Sequence, residues 1–202
     1  MKRNVITLGI GIAALLLTAM PAAAGTVLCF DDLTTGPRLP DDIPVGYGGL
    51  YWDNFGVAKD DHKGANTGYY NAPVSGDYVA FNHYGDPAGF SSDDPFNLVG
   101  GYFTAGWRDG LQVDVEGYRA GDLVYSTAFT IDTHGPTWVQ FGWDNVDQVL
   151  FRSSGGETMG FAQDSYQFAM DNLTFHAPAP GAVLLAGLGT GLTSWLRRRR
   201  VF

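Results

Sequence analysis

The chain has 202 residues and a formal net charge of −9, and the charge is unevenly distributed along it. Residues 25–176 contain all 21 acidic residues but only six basic ones, so six minus 21 gives this segment a formal charge of −15. So acidic a surface repels phosphate backbones, which argues against nucleic acid as a partner. The single cysteine, Cys29, rules out an intrachain disulfide.

The first 24 residues have the three parts of a signal peptide. Lys2 and Arg3 supply positive charge, residues 5–20 are apolar, and small residues precede a predicted cleavage site after Ala24. We therefore predict a helical signal peptide over residues 1–24, with an uncleaved N-terminal anchor as the alternative. The prediction places the following segment outside the cytoplasm.

Residues 25–176 are predicted to form one β-sheet domain. Apolar or alternating runs separated by Gly, Asp, Asn and Pro predict about eight short strands and no helix. The clearest run alternates over residues 111–116 and continues over 123–131 as a β-hairpin. The other predicted strands cover residues 26–30, 78–82, 138–143, 146–151 and 166–175, and residues 96–107 are predicted to form a strand pair or one bent strand. Residues 50–57 are a short aromatic segment, loops are predicted at 31–46, 59–75 and 153–156, and a turn region at 85–94. The expected fold is an all-β, two-sheet antiparallel β-sandwich.

The last predicted strand contains an irregularity. Its apolar residues change from even to odd positions between Met170 and Leu173, so the slip falls at Asp171-Asn172. A one-residue slip predicts a β-bulge. An acidic side chain between apolar neighbours needs a partner. Backbone N–H groups of a neighbouring loop and a cation are both open alternatives.

Aromatic residues in or beside predicted loops are candidate ligand contacts, because exposed Tyr and Trp side chains can stack on sugar rings. Polar neighbours that could bind hydroxyl groups accompany two groups of them, so the predicted ligand-binding residues are Tyr69, Tyr70, Asn82 and Tyr84. The full set of such aromatics is Tyr47, Tyr51, Trp52, Tyr69, Tyr70, Tyr84 and Trp107. For each of them a place in the core is the competing interpretation, as we expect for Trp52, Trp138 and Trp143.

Signatures of an enzyme are absent from the sequence, and we predict a non-catalytic protein. Glu116 and Glu157 are the only glutamates, and the four histidines lack a paired metal-binding spacing. The sequence contains no nucleophile elbow, phosphate-binding loop or dinucleotide fingerprint. A glycan hydrolase would need two converging carboxyl groups, and the many aspartates leave this alternative open.

The segment 177–202 has a proline-containing hinge, an apolar run and an arginine block. The apolar run, residues 181–196, would extend about 24 Å as a helix, a little less than a hydrocarbon core of about 30 Å. The arginines are too costly to cross the bilayer and should stay cytoplasmic. We predict a transmembrane helix and a sorting or anchor segment whose key residues are Pro178, Pro180, Arg197, Arg198, Arg199 and Arg200.

This tail resembles the PEP-CTERM sorting signal of Gram-negative bacteria, although Ala179 stands where that family has Glu. The resemblance implies an exosortase, a membrane-embedded cysteine peptidase, as a partner. It also implies transient anchoring in the inner membrane before release to the cell surface or extracellular matrix. A simple C-terminal anchor is the alternative.

The strands that contain FDDL, DGLQVDVEGYRAG and FAMDNLTF resemble jelly-roll carbohydrate-binding modules. That resemblance implies a structural Ca²⁺ site with Asp31 or Asp32 and Asp171 as ligands. We therefore expect an exported, non-catalytic, jelly-roll-like protein that binds extracellular polysaccharide. The alternatives are a structural surface protein without a ligand and a glycan-active hydrolase.

Overall fold

The computed structural model describes residues 25–33 and 41–176, which lie within the predicted domain. The predicted signal peptide over residues 1–24 and the predicted sorting segment over residues 177–202 lie outside the described residues. Helix in the described part is limited to three short 3-10 turns, Tyr47–Gly49, Asp60–Lys63 and His83–Gly85. No described helix is long and apolar enough to cross a membrane.

Ten strands pair antiparallel throughout, and they form an all-β, sandwich-like fold as predicted. The strands are β1 Gly25–Leu28, β2 Asp41–Asp42, β3 Tyr51–Asp53, β4 Phe55–Lys59, β5 Tyr78–Asn82, β6 Ala88–Ala105, β7 Arg108–Arg119, β8 Asp122–Ile131, β9 Thr137–Thr158 and β10 Phe168–His176. The order of the main path is β2-β4-β5-β10-β6-β9-β7-β8, with β1 beside β10 and β3 beside β6.

Two strands are much longer than predicted. The predicted turn at residues 85–94 is mostly the start of β6, and two predicted strands and a predicted loop merge into β9. Gly142 and Asn145 in β9 have φ of 62° and 59°, and the β6–β9 register shifts on either side of Phe96. These strands therefore continue through bulges at residues that the sequence analysis interpreted as turns or loops. Because β6 pairs with both β10 and β9, and β9 also pairs with β7, hydrogen bonds join the strands into one continuous path. The predicted division into two separate sheets is therefore corrected.

The predicted hairpin is confirmed as β7–β8. Ala120 and Gly121 both have positive φ, 52° and 87°, and connect the paired residues Arg119 and Asp122. This is the geometry of a two-residue type I′ turn, whose twist matches that of the flanking strands. The predicted alternation also holds, because the apolar positions between residues 111 and 115 are buried.

The main core contains most of the buried phenylalanines and the apolar positions of β6, β7, β9 and β10. A second, smaller cluster consists of Ala58, Tyr69, Ala72, Val79, Phe81, Trp107 and Ala169. The segment 59–75 is irregular over most of its length, as predicted, but it supplies the buried residues Tyr69 and Ala72 to this cluster, so its predicted exposure is wrong. Trp143 is buried as predicted, whereas Trp138 is 39 % exposed and does not belong to the core.

Candidate ligand-binding cleft

The predicted irregularity in β10 is present as a register shift between Asp171 and Thr174, with Asn172 at a φ of 50°. Asp171 is buried, and its Oδ2 accepts hydrogen bonds from the backbone N–H groups of Val74 and Ser75 at 2.7 and 3.0 Å. Its Oδ1 accepts from the N–H of Asn172 at 2.7 Å. The bulge therefore turns a carboxylate toward backbone donors of a neighbouring loop, which is one of the two partners that the sequence predicted.

Asp31 lies against the same loop. Its Oδ1 accepts from the N–H groups of Asp77 and Tyr78 at 2.8 and 3.1 Å. Burial raises the pKa of the Asp171 carboxyl, the three backbone donors oppose the rise, and the negative charge of Asp31 adds to it. Asp32 is engaged elsewhere, where its Oδ1 accepts from the Tyr47 hydroxyl at 2.7 Å.

The structure thus brings two of the three predicted metal ligands, Asp31 and Asp171, to one loop and separates Asp32 from them. Within residues 25–33 and 41–176, no group of three or more His, Cys, Asp or Glu side chains is placed to hold a metal ion. The N–H groups occupy both oxygens of Asp171 and one of Asp31. The partial positive charges of these N–H groups lie where a cation would bind. This favours backbone N–H groups over a cation as the partners of Asp171. Calcium stays a prediction.

A cleft of about 620 Å³ lies beside the 3-10 turn that follows β5. The turn forms one wall and the segment 163–167 forms the other, and the volume falls within the range of roughly 300–1,000 Å³ usual for small-molecule sites. The lining residues are Phe81, His83, Tyr84, Gln163, Asp164, Ser165 and Gln167.

Asn82, the last residue of β5, joins the two walls. Its buried amide nitrogen donates to the carbonyl of Asp86 at 3.0 Å and to Ser153 Oγ at 3.2 Å. Its side-chain oxygen accepts from the N–H of Phe168 at 2.8 Å, and its backbone carbonyl accepts from Gln167 Nε2 at 3.2 Å. One residue therefore fixes the start of β10, the turn after β5 and a residue of β9 relative to one another.

Gln167 connects the cleft to the second cluster. Its Oε1 accepts from Trp107 Nε1 at 2.8 Å and from Ser165 Oγ at 3.0 Å. The Trp107 ring in turn lies 5.3 Å from the Tyr69 ring, between centroids. Since both rings are buried, the cleft rests on a packed aromatic base.

Tyr84 is the most exposed aromatic residue of the described part, at 82 %. It has a φ of 58°, which is uncommon for a residue with a side chain. Gly85 follows at a φ of 78°, and a Cβ there would lie 2.8 Å from the backbone nitrogen of Tyr166. The close approach of the two walls therefore requires glycine at position 85, and the tight turn directs the Tyr84 ring toward solvent at the cleft.

Arg108 is paired with Asp164 of the second wall, and each of its three side-chain nitrogen atoms donates at least one hydrogen bond. Nη1 donates to both carboxylate oxygens of Asp164 at 2.7 and 2.8 Å. Nε and Nη2 donate to the carbonyls of Gly155 and Gly156 at 2.9 and 2.8 Å. The guanidinium carbon also lies 5.1 Å from the centre of the Tyr166 ring. Arg108 therefore holds the second wall in place rather than offering charge to a ligand.

The predicted ligand-binding residues have different positions. Tyr84 lines the cleft and Tyr70 is 47 % exposed but outside its lining. Tyr69 and Asn82 are buried, so these two predictions are corrected: Tyr69 packs in the second cluster, and Asn82 positions the cleft without being accessible to a ligand.

Sequence reasoning missed the second wall. Gln163, Asp164 and Ser165 lie in an irregular segment between β9 and β10 that shows no strand or helix pattern. The available signal was three successive polar residues bounded by the aromatic residues Phe161 and Tyr166.

Searches against protein-family models and against curated proteins find no match. Among solved structures, the chain is similar to the carbohydrate-binding module TmCBM61, solved in complex with β-1,4-galactotriose, with a TM-score of 0.34 and 10 % sequence identity. The similarity covers 67 % of this chain and 98 % of that module. So distant a likeness does not place the chain in a family.

If the Asp171 carboxylate holds the loop of residues 74–78 onto β10, Asp171→Asn should lower the free energy of unfolding by about 1–3 kcal/mol, because an amide cannot accept from all three N–H groups. Asp32→Asn is the matched control, since it alters a carboxylate that is exposed and bonded to one hydroxyl. Urea unfolding of the full chain measures both, and equal losses would contradict the assignment.

Treatment with EDTA separates the two partners that the sequence left open for Asp171. The hydrogen-bonded alternative predicts an unchanged melting curve, whereas a structural Ca²⁺ predicts a lower melting temperature in EDTA that added Ca²⁺ restores.

Proposed function

We propose that this domain is a non-catalytic binding domain for a neutral polysaccharide, and that the cleft beside Tyr84 is its binding site. The observation that carries the proposal is the exposure of the Tyr84 ring at a cleft whose other lining residues, apart from Phe81, have polar side chains. A tyrosine face can cover the apolar face of a sugar ring while neighbouring amides and hydroxyls bind its hydroxyl groups. Gln163 and Ser165 are the side chains best placed for that second role.

Charge supports a neutral ligand. Arg108, the cation beside the cleft, already binds Asp164 and two carbonyl groups. A uronic acid or sulfated sugar would find no uncommitted cation among the described lining residues and would approach an acidic domain. A neutral glycan meets neither obstacle.

The same lining supports binding over hydrolysis. Asp164 is the only carboxylate among the described residues that line the cleft, and Arg108 holds it. A glycosidase of the usual kind needs a second carboxyl group about 5–10 Å away across the substrate. The proposed domain therefore retains a polysaccharide without cleaving it.

Export is part of the proposal and rests on the two ends of the sequence. We propose that the signal peptide directs the chain across the inner membrane, that the tail anchors it transiently, and that an exosortase-like peptidase then releases it to the cell surface or matrix. A phosphatase reporter inserted just before Pro178, active only outside the cytoplasm, should be active. Activity of a cytoplasm-dependent reporter at that position would contradict this topology.

Binding is tested by retention of the full chain on immobilised neutral polysaccharides, including the cell's own. Tyr84→Ala should weaken binding by about tenfold, because loss of one stacked ring removes about 1–1.5 kcal/mol. Tyr70→Ala removes an exposed tyrosine outside the cleft lining and should leave binding unchanged.

Two results would count against the site or the function. Equal losses in the Tyr84 and Tyr70 variants would remove the cleft as the binding site. No retention of the wild-type chain on any neutral polysaccharide would favour a purely structural surface protein.

A further inference from the structure

An aromatic pair lies on the same face of the sheet as the cleft. Phe81, which lines the cleft, pairs with Ala169, and Ala169 pairs with Thr104. Directly opposed residues of antiparallel strands, and every second residue along a strand, project to the same face. Tyr102, two residues before Thr104 on β6, therefore shares this face, as does Trp138, its partner on β9.

The loop that covers this face ends beside the aromatic pair. Asp171 pairs with Tyr102 from the other side and is buried under the backbone of Val74 and Ser75. Tyr102 is only partly buried, and Trp138 is 39 % exposed. The loop that closes over β10 therefore leaves this aromatic pair accessible.

The backbone of Gly100 provides the surface against which the Trp138 ring packs. A Cβ at Gly100 would lie 2.6 and 2.9 Å from Cζ2 and Cη2 of the indole, so only glycine gives the ring this position. The Tyr102 ring contacts the indole from the side, at 5.0 Å between ring centres and an interplanar angle of 61°. A ring that is already held in place loses little conformational entropy when a ligand stacks on it.

The surface formed by Gly100, Tyr102, Trp138 and Gln140, here called the β6–β9 platform, is aromatic and uncharged. Gln140 is exposed and pairs with Gly100, so its amide projects to the same face. In the described part of the chain, the indole N–H of Trp138 donates to no protein group. An exposed ring with amide and N–H groups beside it suits a neutral sugar, which presents an apolar ring face and hydroxyl groups.

We propose that the β6–β9 platform is a second contact site for the neutral polysaccharide that the cleft binds, so that one long chain spans both sites. This inference rests on the proposed function. The two sites share one face of the sheet, and the platform carries no charge that would select a charged ligand. A second copy of the protein is a poorer occupant, because two domains of charge −15 repel each other.

The strand order sets the spacing between the two sites. β10 and β6 lie between β5, which carries Phe81 of the cleft, and β9, which carries Trp138. Three strand spacings of about 4.8 Å make roughly 14 Å across the sheet. A disaccharide held in the cleft should therefore not reach Trp138, whereas a long chain contacts both sites. The two contacts reinforce each other, because the first raises the local concentration of the chain at the second.

The test compares a long neutral polysaccharide that the wild type retains with the disaccharide of the same sugar, on the full chain in mild non-ionic detergent. Trp138→Ala should weaken binding of the polysaccharide about tenfold, because it removes one stacked ring, and should leave disaccharide binding unchanged. Tyr84→Ala should weaken both. Tyr51→Ala is the matched control, since it removes a 45 % exposed ring on β3 and should change neither.

The indole N–H signals in the NMR spectrum of the full chain provide a readout that stability alone would not change. The Trp138 signal, identified by its loss in Trp138→Phe, should shift or broaden with the polysaccharide and stay unchanged with the disaccharide. Trp138→Phe keeps a ring on the platform and should bind the polysaccharide more tightly than Trp138→Ala.

The outcomes separate this inference from the proposed function. Polysaccharide binding that is unchanged in Trp138→Ala but weakened in Tyr84→Ala would overturn the second site and leave the cleft in place. An equal loss of disaccharide binding in Trp138→Ala, or a change in the sedimenting mass in place of a change in glycan binding, would also overturn it. No retention of the wild type on any neutral polysaccharide would remove both proposals.

Discussion

The arrangement of the cleft depends on one buried amide. An amide removed from water without hydrogen-bond partners costs several kcal/mol, so a buried asparagine is stable only where partners surround it. Asn82 has such partners on three other parts of the chain, at Asp86, Ser153 and Phe168. Because each partner belongs to a different segment, satisfying this amide fixes those segments relative to one another. The gap that remains between two of them is the cleft.

Packing below the cleft keeps this geometry rigid. The second cluster lies under the cleft and includes Phe81, which lines it, and Trp107, which donates to Gln167. On the rim, Arg108 connects Asp164 with the C-terminal end of β9 and lies over Tyr166. A site whose walls are held before the ligand arrives loses less entropy on binding. This matters for a weak ligand such as a neutral sugar, which offers no charge to compensate for ordering.

Features that depend on neighbouring residues in the sequence could be predicted well. Strict alternation identified the β7–β8 hairpin, the change of phase identified the bulge at Asp171, and a short apolar run gave the bounds of β5. Features that depend on which segment covers the second face of a strand could not be predicted from the sequence. Tyr69 and Asn82 looked accessible because nothing local shows that the segments 60–77 and 163–167 fold over β5 and β10. The long strands were divided in the prediction because glycine and asparagine at a bulge look the same as at a turn.

Hydrogen exchange of backbone amides, with and without a neutral oligosaccharide that the chain retains, tests the central claim most directly. If the cleft is the binding site, the ligand should slow exchange in residues 82–86 and 163–167, and Tyr84→Ala should abolish the change in both segments together. Protection confined to another face, with these two segments unaffected, would contradict the account.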